Sequence, residues 1–262
     1  MAVALPSLFI SHGSPELPLQ SGPVVDFLRG LSSHFRPPQA ILAVSAHWET
    51  EHPALTTHPY PATIHDFWGF PNPLYQLRYP VQGSPHLAGR VADLLKEAGL
   101  IPSSDPERGL DHGVWTPLLL AYPEANIPVV QLSIQPHLSP EYHWRMGKAL
   151  AALRQEEVLI LASGSATHNL RAFGRYRWES SEPPLWVSQF ADWLSQTVRE
   201  GNLEDLFDYR ERAPYASENH PTDEHLLPLF VALGSGGDPF RGQQIHDSYT
   251  YGVFSMAAYQ FG

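Results

Sequence analysis

The sequence predicts a single α/β domain with a central, mainly parallel sheet flanked by helices. Short apolar runs alternate with amphipathic stretches along the chain, and three of those runs end in a polar turn that carries a histidine. Alternation of buried-strand and helical patterns is what a parallel sheet with crossover helices requires. A chain of 262 residues and 29.2 kDa is large enough for one such domain, and no shift in composition divides it.

The organising stretch is Ala40 to Glu49, AILAVSAHWE, a run rich in Ile and Val that reads as a strand buried on both faces. His47 then stands at its C-terminal end. Ser7 to His12, followed by Gly13-Ser14-Pro15, and Val158 to His168 repeat the construction. Open α/β sheets bind ligands in the crevice beyond the carboxyl ends of their strands, so His12, His47 and His168 are placed for chemistry at one sheet edge. One imidazole beside apolar residues is more often a hydrogen-bonded core group than a ligand. Three such strand endings on one edge weaken that reading, and a metal site at the C-terminal strand edge is expected.

In order, a helix is expected from Pro23 to Phe35, stopped by Pro37-Pro38. Residues 50 to 83 are rich in proline and aromatics and predict a lid or pocket wall. Leu87 to Ala98 reads as an amphipathic helix capped by Gly99. His112 follows Asp111 just before an apolar helix, Trp115 to Tyr122. A strand at Ile127 to Ile134, a helix at Tyr142 to Arg154 and the Val158 strand follow. Arg171 to Pro184 reads as irregular, and Leu185 to Glu200 as a helix. His220 to His225 opens a helix over Leu226 to Leu233, with Gly234 at its end. With Leu226, Leu229, Phe230 and Leu233 inward, His225 falls on the border of the buried stripe and Glu224 points away. Ser248 to Phe254 reads as a closing strand.

Composition excludes several functions. A formal charge of -11 argues against nucleic acid, whose binders carry basic patches. No run approaches the ~20 apolar residues of a spanning helix, so no membrane role is expected. The N-terminal MAVALPSLFI lacks the basic region and length of a signal peptide, and a cytoplasmic location is expected. With no cysteine, a metal must be held by histidine and carboxylate, and 14 histidines supply such ligands.

Six ordered motifs, His12-Gly13-Ser14-Pro15, Ser45-Ala46-His47-Trp48, His65-Asp66-Phe67-Trp68-Gly69-Phe70-Pro71, Leu110-Asp111-His112-Gly113, Ser163 to Leu170 and His220-Pro221-Thr222-Asp223-Glu224-His225, span nearly the whole chain. Together they resemble the class III extradiol ring-cleavage dioxygenases, and within them the 4,5-DOPA extradiol dioxygenase subgroup. The resemblance implies non-haem iron(II), Fe(2+), that inserts both atoms of O2 into a catechol ring, with zinc, Zn(2+), found in some isolated members. It implies His12 and His47 as metal ligands. In the better-known branch a glutamate opening a helix is the third. Here the spacing back from Leu233-Gly234 puts His225 at that position, with Glu224 one residue off, and a three-histidine site is implied. His168 matches the family's catalytic base, with a position on the metal also open to it, and His112 matches a histidine near substrate or oxygen. His65, Phe67 and His220 are expected at the substrate, a small catechol. Two rivals fit the same residues: a zinc-dependent hydrolase or amidase, and a non-catalytic metal-binding protein. A homo-oligomer is compatible with the pattern.

Overall fold

The computed structural model describes residues 4–176, 182–238 and 242–262. Ten strands are present among them: β1 (Ser7–Ser11), β2 (Ala40–Glu49), β3 (Ala54–Thr56), β4 (Ser103–Asp105), β5 (Val129–Ile134), β6 (Val158–Gly164), β7 (Gly242–His246), β8 (Tyr249–Thr250), β9 (Phe254–Ser255) and β10 (Ala258–Phe261). Eight form one sheet in the order β4-β3-β5-β2-β6-β1-β10-β7, and β8 pairs with β9. The centre, β5-β2-β6-β1, is parallel throughout. The antiparallel pairings lie to either side, β3 on β5 and β10 between β1 and β7.

Period-two alternation divides the apolar residues of the central strands between two cores. Phe9, Leu42, Val44, Ile160 and Ala162 face one, while Leu8, Ile10, Ile41, Ala43, Leu159 and Leu161 face the other. The first core is covered by α2 (Pro85–Glu97), α4 (Pro140–Leu150), α6 (Leu185–Glu200) and α10 (Leu227–Ser235). The second is covered by α1 (Pro23–Gly30), α3 (His112–Ala121) and the 57–83 segment, whose Phe67, Leu74, Tyr79 and Val81 are buried. Helices α4 and α10 touch backbone to backbone at Gly147 and Gly234, where an added Cβ would come within 2.2 and 2.1 Å of Val231 O and Trp144 O.

The remaining helices are short: α5 (Leu170–Tyr176), α7 (Leu203–Phe207), α8 (Tyr209–Arg212) and α9 (Ala216–Asn219). Helix α5 replaces the irregular start expected at Arg171. Residues 177–181 of that expected stretch lie outside the described residues. The expected strand at Ser248 to Phe254 is instead a tight turn between the two-residue strands β8 and β9, and the sheet edge is built by β7 and β10. Helix α10 begins at Leu227 rather than Leu226, because Pro228 belongs in a first turn, where its missing N–H is no loss. His225 therefore sits in the turn before the helix.

Candidate metal centre and substrate cavity

Parallel strands deliver histidines to one edge. His12 directly follows β1, and its backbone N–H continues the ladder to Gly164 O at 3.0 Å. His47 lies near the end of β2, His112 opens α3, and His168 lies four residues beyond β6. The His225 turn is tied down by Ser165, whose N–H donates to His225 O at 2.8 Å.

These five rings form one cluster. The ligand nitrogens of His12, His47 and His112 lie within 4.8 Å of one another, and so do the ligand atoms of His168, Glu224 and His225. The two groups adjoin: the His225 ring centroid is 5.5 Å from that of His12 and 4.9 Å from that of His47. His168 stacks on His225 at 3.4 Å.

Hydrogen bonds fix where the ring protons are. Ser163 Oγ donates to Gly113 O, so it accepts from His12 Nδ1 at 3.0 Å. The Nε2 of His12 is thereby left as a bare lone pair, 3.0 Å from His47 Nε2. His225 Nδ1 donates to Glu224 Oε1 at 2.9 Å, and its buried Nε2 has no hydrogen-bond partner. Carboxylate-backed histidines with a free second nitrogen are the usual form of metal-binding histidine. Two nitrogens each ~2.1 Å from one ion at a right angle would be about 3.0 Å apart, so the pair fits a divalent metal.

Electrostatics favour the neutral rings that a metal requires. Burial, then the mutual repulsion of the neighbouring imidazoles, holds His12 and His225 well below the ordinary histidine value. Burial and His112 bring His47 down to about 4, against the pull of Asp111 and Asp66. Burial and His220 bring His168 to about 3.

A cavity of about 420 Å³ opens onto the cluster. His12, His47, His112, His168 and His225 all line it, with Phe67, Trp68, Phe70 and Phe173 as its aromatic walls. Two expected substrate contacts do not border it. His65 sits behind Phe67, hydrogen-bonded to Leu77 O at 3.1 Å and packed on Trp115. His220 is fully buried, its Nε2 bonded to Ala166 O at 2.9 Å. Both are partnered groups of the supporting structure, and Phe67 is the expected contact that does reach the cavity.

Sequence reading missed the support beneath the cluster. Asp111, fully buried, accepts from Ser45 Oγ at 2.7 Å, from Gln131 Nε2 and from Arg108 Nη2 at 3.3 Å. It thereby pins β2, β5 and α3 together just below His47 and His112. Asp66 accepts from the His112 backbone N–H at 3.0 Å and lies 2.9 Å from His112 Nδ1. Their one visible signal was an aspartate next to a candidate histidine in each motif.

The histidine cluster at the sheet edge is a candidate metal site of an α/β enzyme, and the chain belongs to the family described as the catalytic LigB subunit of aromatic ring-opening dioxygenase, which it matches over residues 6–262. It is 42% identical to a 4,5-DOPA dioxygenase extradiol of Beta vulgaris, with 97% of this chain and 96% of that one aligned. It is 38% identical to the protein of the same description from Escherichia coli K12, over 98% and 95% of the two chains. The crystal structure of an uncharacterized Escherichia coli K12 protein superposes with a TM-score of 0.82 at 33% identity, covering 98% of this chain and all of that one. The chain is accordingly an extradiol aromatic ring-opening dioxygenase. Among the described residues, no helix is long and apolar enough to cross a membrane.

Proposed function

We propose that the protein opens the ring of a small catechol with O2 at a non-haem iron(II) held by His12, His47 and His225, a site that also accepts zinc. The observation that carries the reading is the set of proton-free, buried ring nitrogens: His12 Nε2, committed by Ser163, and the unpartnered Nε2 of His225. Distance alone groups His112 with His12 and His47. His225 is preferred as the third ligand because its Nδ1 is held by a carboxylate and its other nitrogen is buried without a partner. Three protein ligands with open positions are the arrangement of iron(II) oxygenases. Iron(II) held by these residues would supply Lewis acidity towards a catechol hydroxyl and an electron path between the ring and O2.

The protein's own groups do the rest. His168, kept neutral by burial, accepts a proton from a catechol hydroxyl. His112, fixed by Asp66 at its backbone and Nδ1, presents its ring to substrate or oxygen. Phe67 and Phe70 stack edge to face at 5.3 Å and wall the cavity, excluding water from the reacting ring.

The test is direct. Metal-free protein is loaded with iron(II) and given a catechol in air, and oxygen uptake is measured beside the yellow ring-opened product. One O2 consumed per ring opened is expected. Turnover that persists without oxygen would point instead to the zinc-dependent hydrolase.

A further inference from the structure

Two carboxylates line the cavity, Glu16 and Asp66, and among its described lining residues there is no lysine or arginine. Asp66 is engaged by His112. Glu16 is not engaged. It follows the His12-Gly13-Ser14-Pro15 turn and precedes a 3-10 turn at Leu17–Leu19, half-buried, with its backbone N–H donating to Ser14 Oγ at 3.3 Å. Its carboxylate makes no hydrogen bond or ion pair among the described residues. Most of the remaining wall is apolar or aromatic, and Trp68 is 86% exposed.

We propose that Glu16 receives a cationic group on the substrate, so that the cavity selects catechols bearing an ammonium side chain over neutral catechols and, most strongly, over catechol carboxylic acids. The inference rests on the dioxygenase reading and adds the charge class of the substrate. A cation bound beside Glu16 inside a cavity walled largely by aromatics would be partly screened from water, which strengthens its attraction to the carboxylate. An ammonium tail completes the unpaired Glu16, whereas an anionic tail meets two carboxylates and no described cation. Trp68 adds an indole face that attracts cations. The net charge of -11 acts in the same direction on approach, concentrating cations and repelling anions at low salt.

The iron-loaded full chain is assayed at low ionic strength with three probes: dopamine, neutral 4-methylcatechol and 3-(3,4-dihydroxyphenyl)propionate. Wild-type kcat/KM is expected to fall in that order, by about tenfold at each step, the size of one favourable or unfavourable charge contact. In Glu16→Gln the dopamine to 4-methylcatechol ratio is expected to drop about tenfold, and Glu16→Lys should place the propionate above dopamine. Because the readout is a ratio within one preparation, partial misfolding of a variant does not alter it. A wild-type preference for the propionate, or an unmoved ratio in Glu16→Gln, overturns the assignment while leaving the dioxygenase reading intact. If none of the three catechols is opened, the proposed small-catechol substrate falls and this inference with it.

Discussion

Asp66 clamps His112 twice: one carboxylate oxygen accepts the His112 backbone N–H at 3.0 Å and lies 2.9 Å from its Nδ1. The other oxygen is 3.8 Å from His47 Nδ1. Burial alone would push the Asp66 carboxyl up, but the bonds and charge of His112 outweigh it and hold the group down to about 2. Ala62 and Ile64 already bond the backbone of Leu110, and Ile64 O accepts from Trp115 Nε1; Asp66 adds a further tie from this segment to the first turn of α3 and to the cluster.

Asp66→Ala should therefore act on turnover more than on metal. Supporting groups around metal-site histidines typically contribute 10–100-fold. We expect kcat to fall by about that factor, while iron content, measured by elemental analysis, stays near one per chain because His112 is outside the proposed ligand set. A parallel loss of iron would show that the clamp supports binding instead.

His168 and His225 stack at 3.4 Å, yet the proposed function gives them different roles, base and metal ligand, which substitution separates. His225→Ala should weaken iron binding by more than about 100-fold, and Glu224→Gln, which removes the carboxylate behind its Nδ1, by about 10–100-fold. His168→Ala should keep its metal and lose about 10²–10⁴-fold in kcat, the usual worth of a positioned base. Metal titration and steady-state rates on the three variants check this. Full activity in His168→Ala would remove it from the mechanism.

Local features were legible wherever one segment determines its own environment. The apolar runs of β1, β2 and β6 announce buried strands, and Leu185 to Glu200 has the observed bounds of α6. The β7 and β10 edge was not legible: GQQIH and AYQF are short and mixed, and β10 joins the sheet by pairing with β1, Ser7 opposite Phe261, residues far apart in the sequence. The edge positions of His12 and His47 could be read from strand endings alone. His225 came through the family resemblance, and the helical geometry offered for it does not hold, since it precedes α10. His65 and His220 sat in suggestive motifs, yet each spends a ring nitrogen on a backbone carbonyl. Asp111 was passed over because its three partners lie on separate elements, and only tertiary structure assembles them.

Gly164 tests how His225, the proposed third ligand, is placed. An added Cβ there would sit 2.1 Å from His225 O, in the turn that Ser165 secures. Gly164→Ala must displace that turn. We expect a loss of roughly 1–3 kcal/mol of stability, read from denaturant midpoints, together with weakened iron binding, although no ligand has been altered. Normal iron affinity would mean that the turn relaxes without moving the ring.

His143, far from the cavity in α4, makes the acid limit of the fold predictable. Gln135 N–H donates to its Nε2 at 3.1 Å and its Nδ1 donates to Ser139 O at 2.9 Å, so a second ring proton would face a backbone N–H. Burial, partly offset by the Ser139 bond, lowers it from 6.5 to about 4. The unfolded chain takes up this proton as pH falls below ~6.5, while the folded chain resists it down to about 4. Between those values the unfolded state binds more protons. The contribution is thus fully present above the upper value and declines as pH falls, by roughly 3 kcal/mol at most. Thermal melts from pH 7 to pH 4.5 should show Tm falling with acid. In His143→Leu the midpoint should be lower at pH 7, because Gln135 N–H loses its acceptor, but the dependence on pH should be shallower. An equally steep dependence in that variant would assign the acid sensitivity to other buried imidazoles, the cavity cluster first among them.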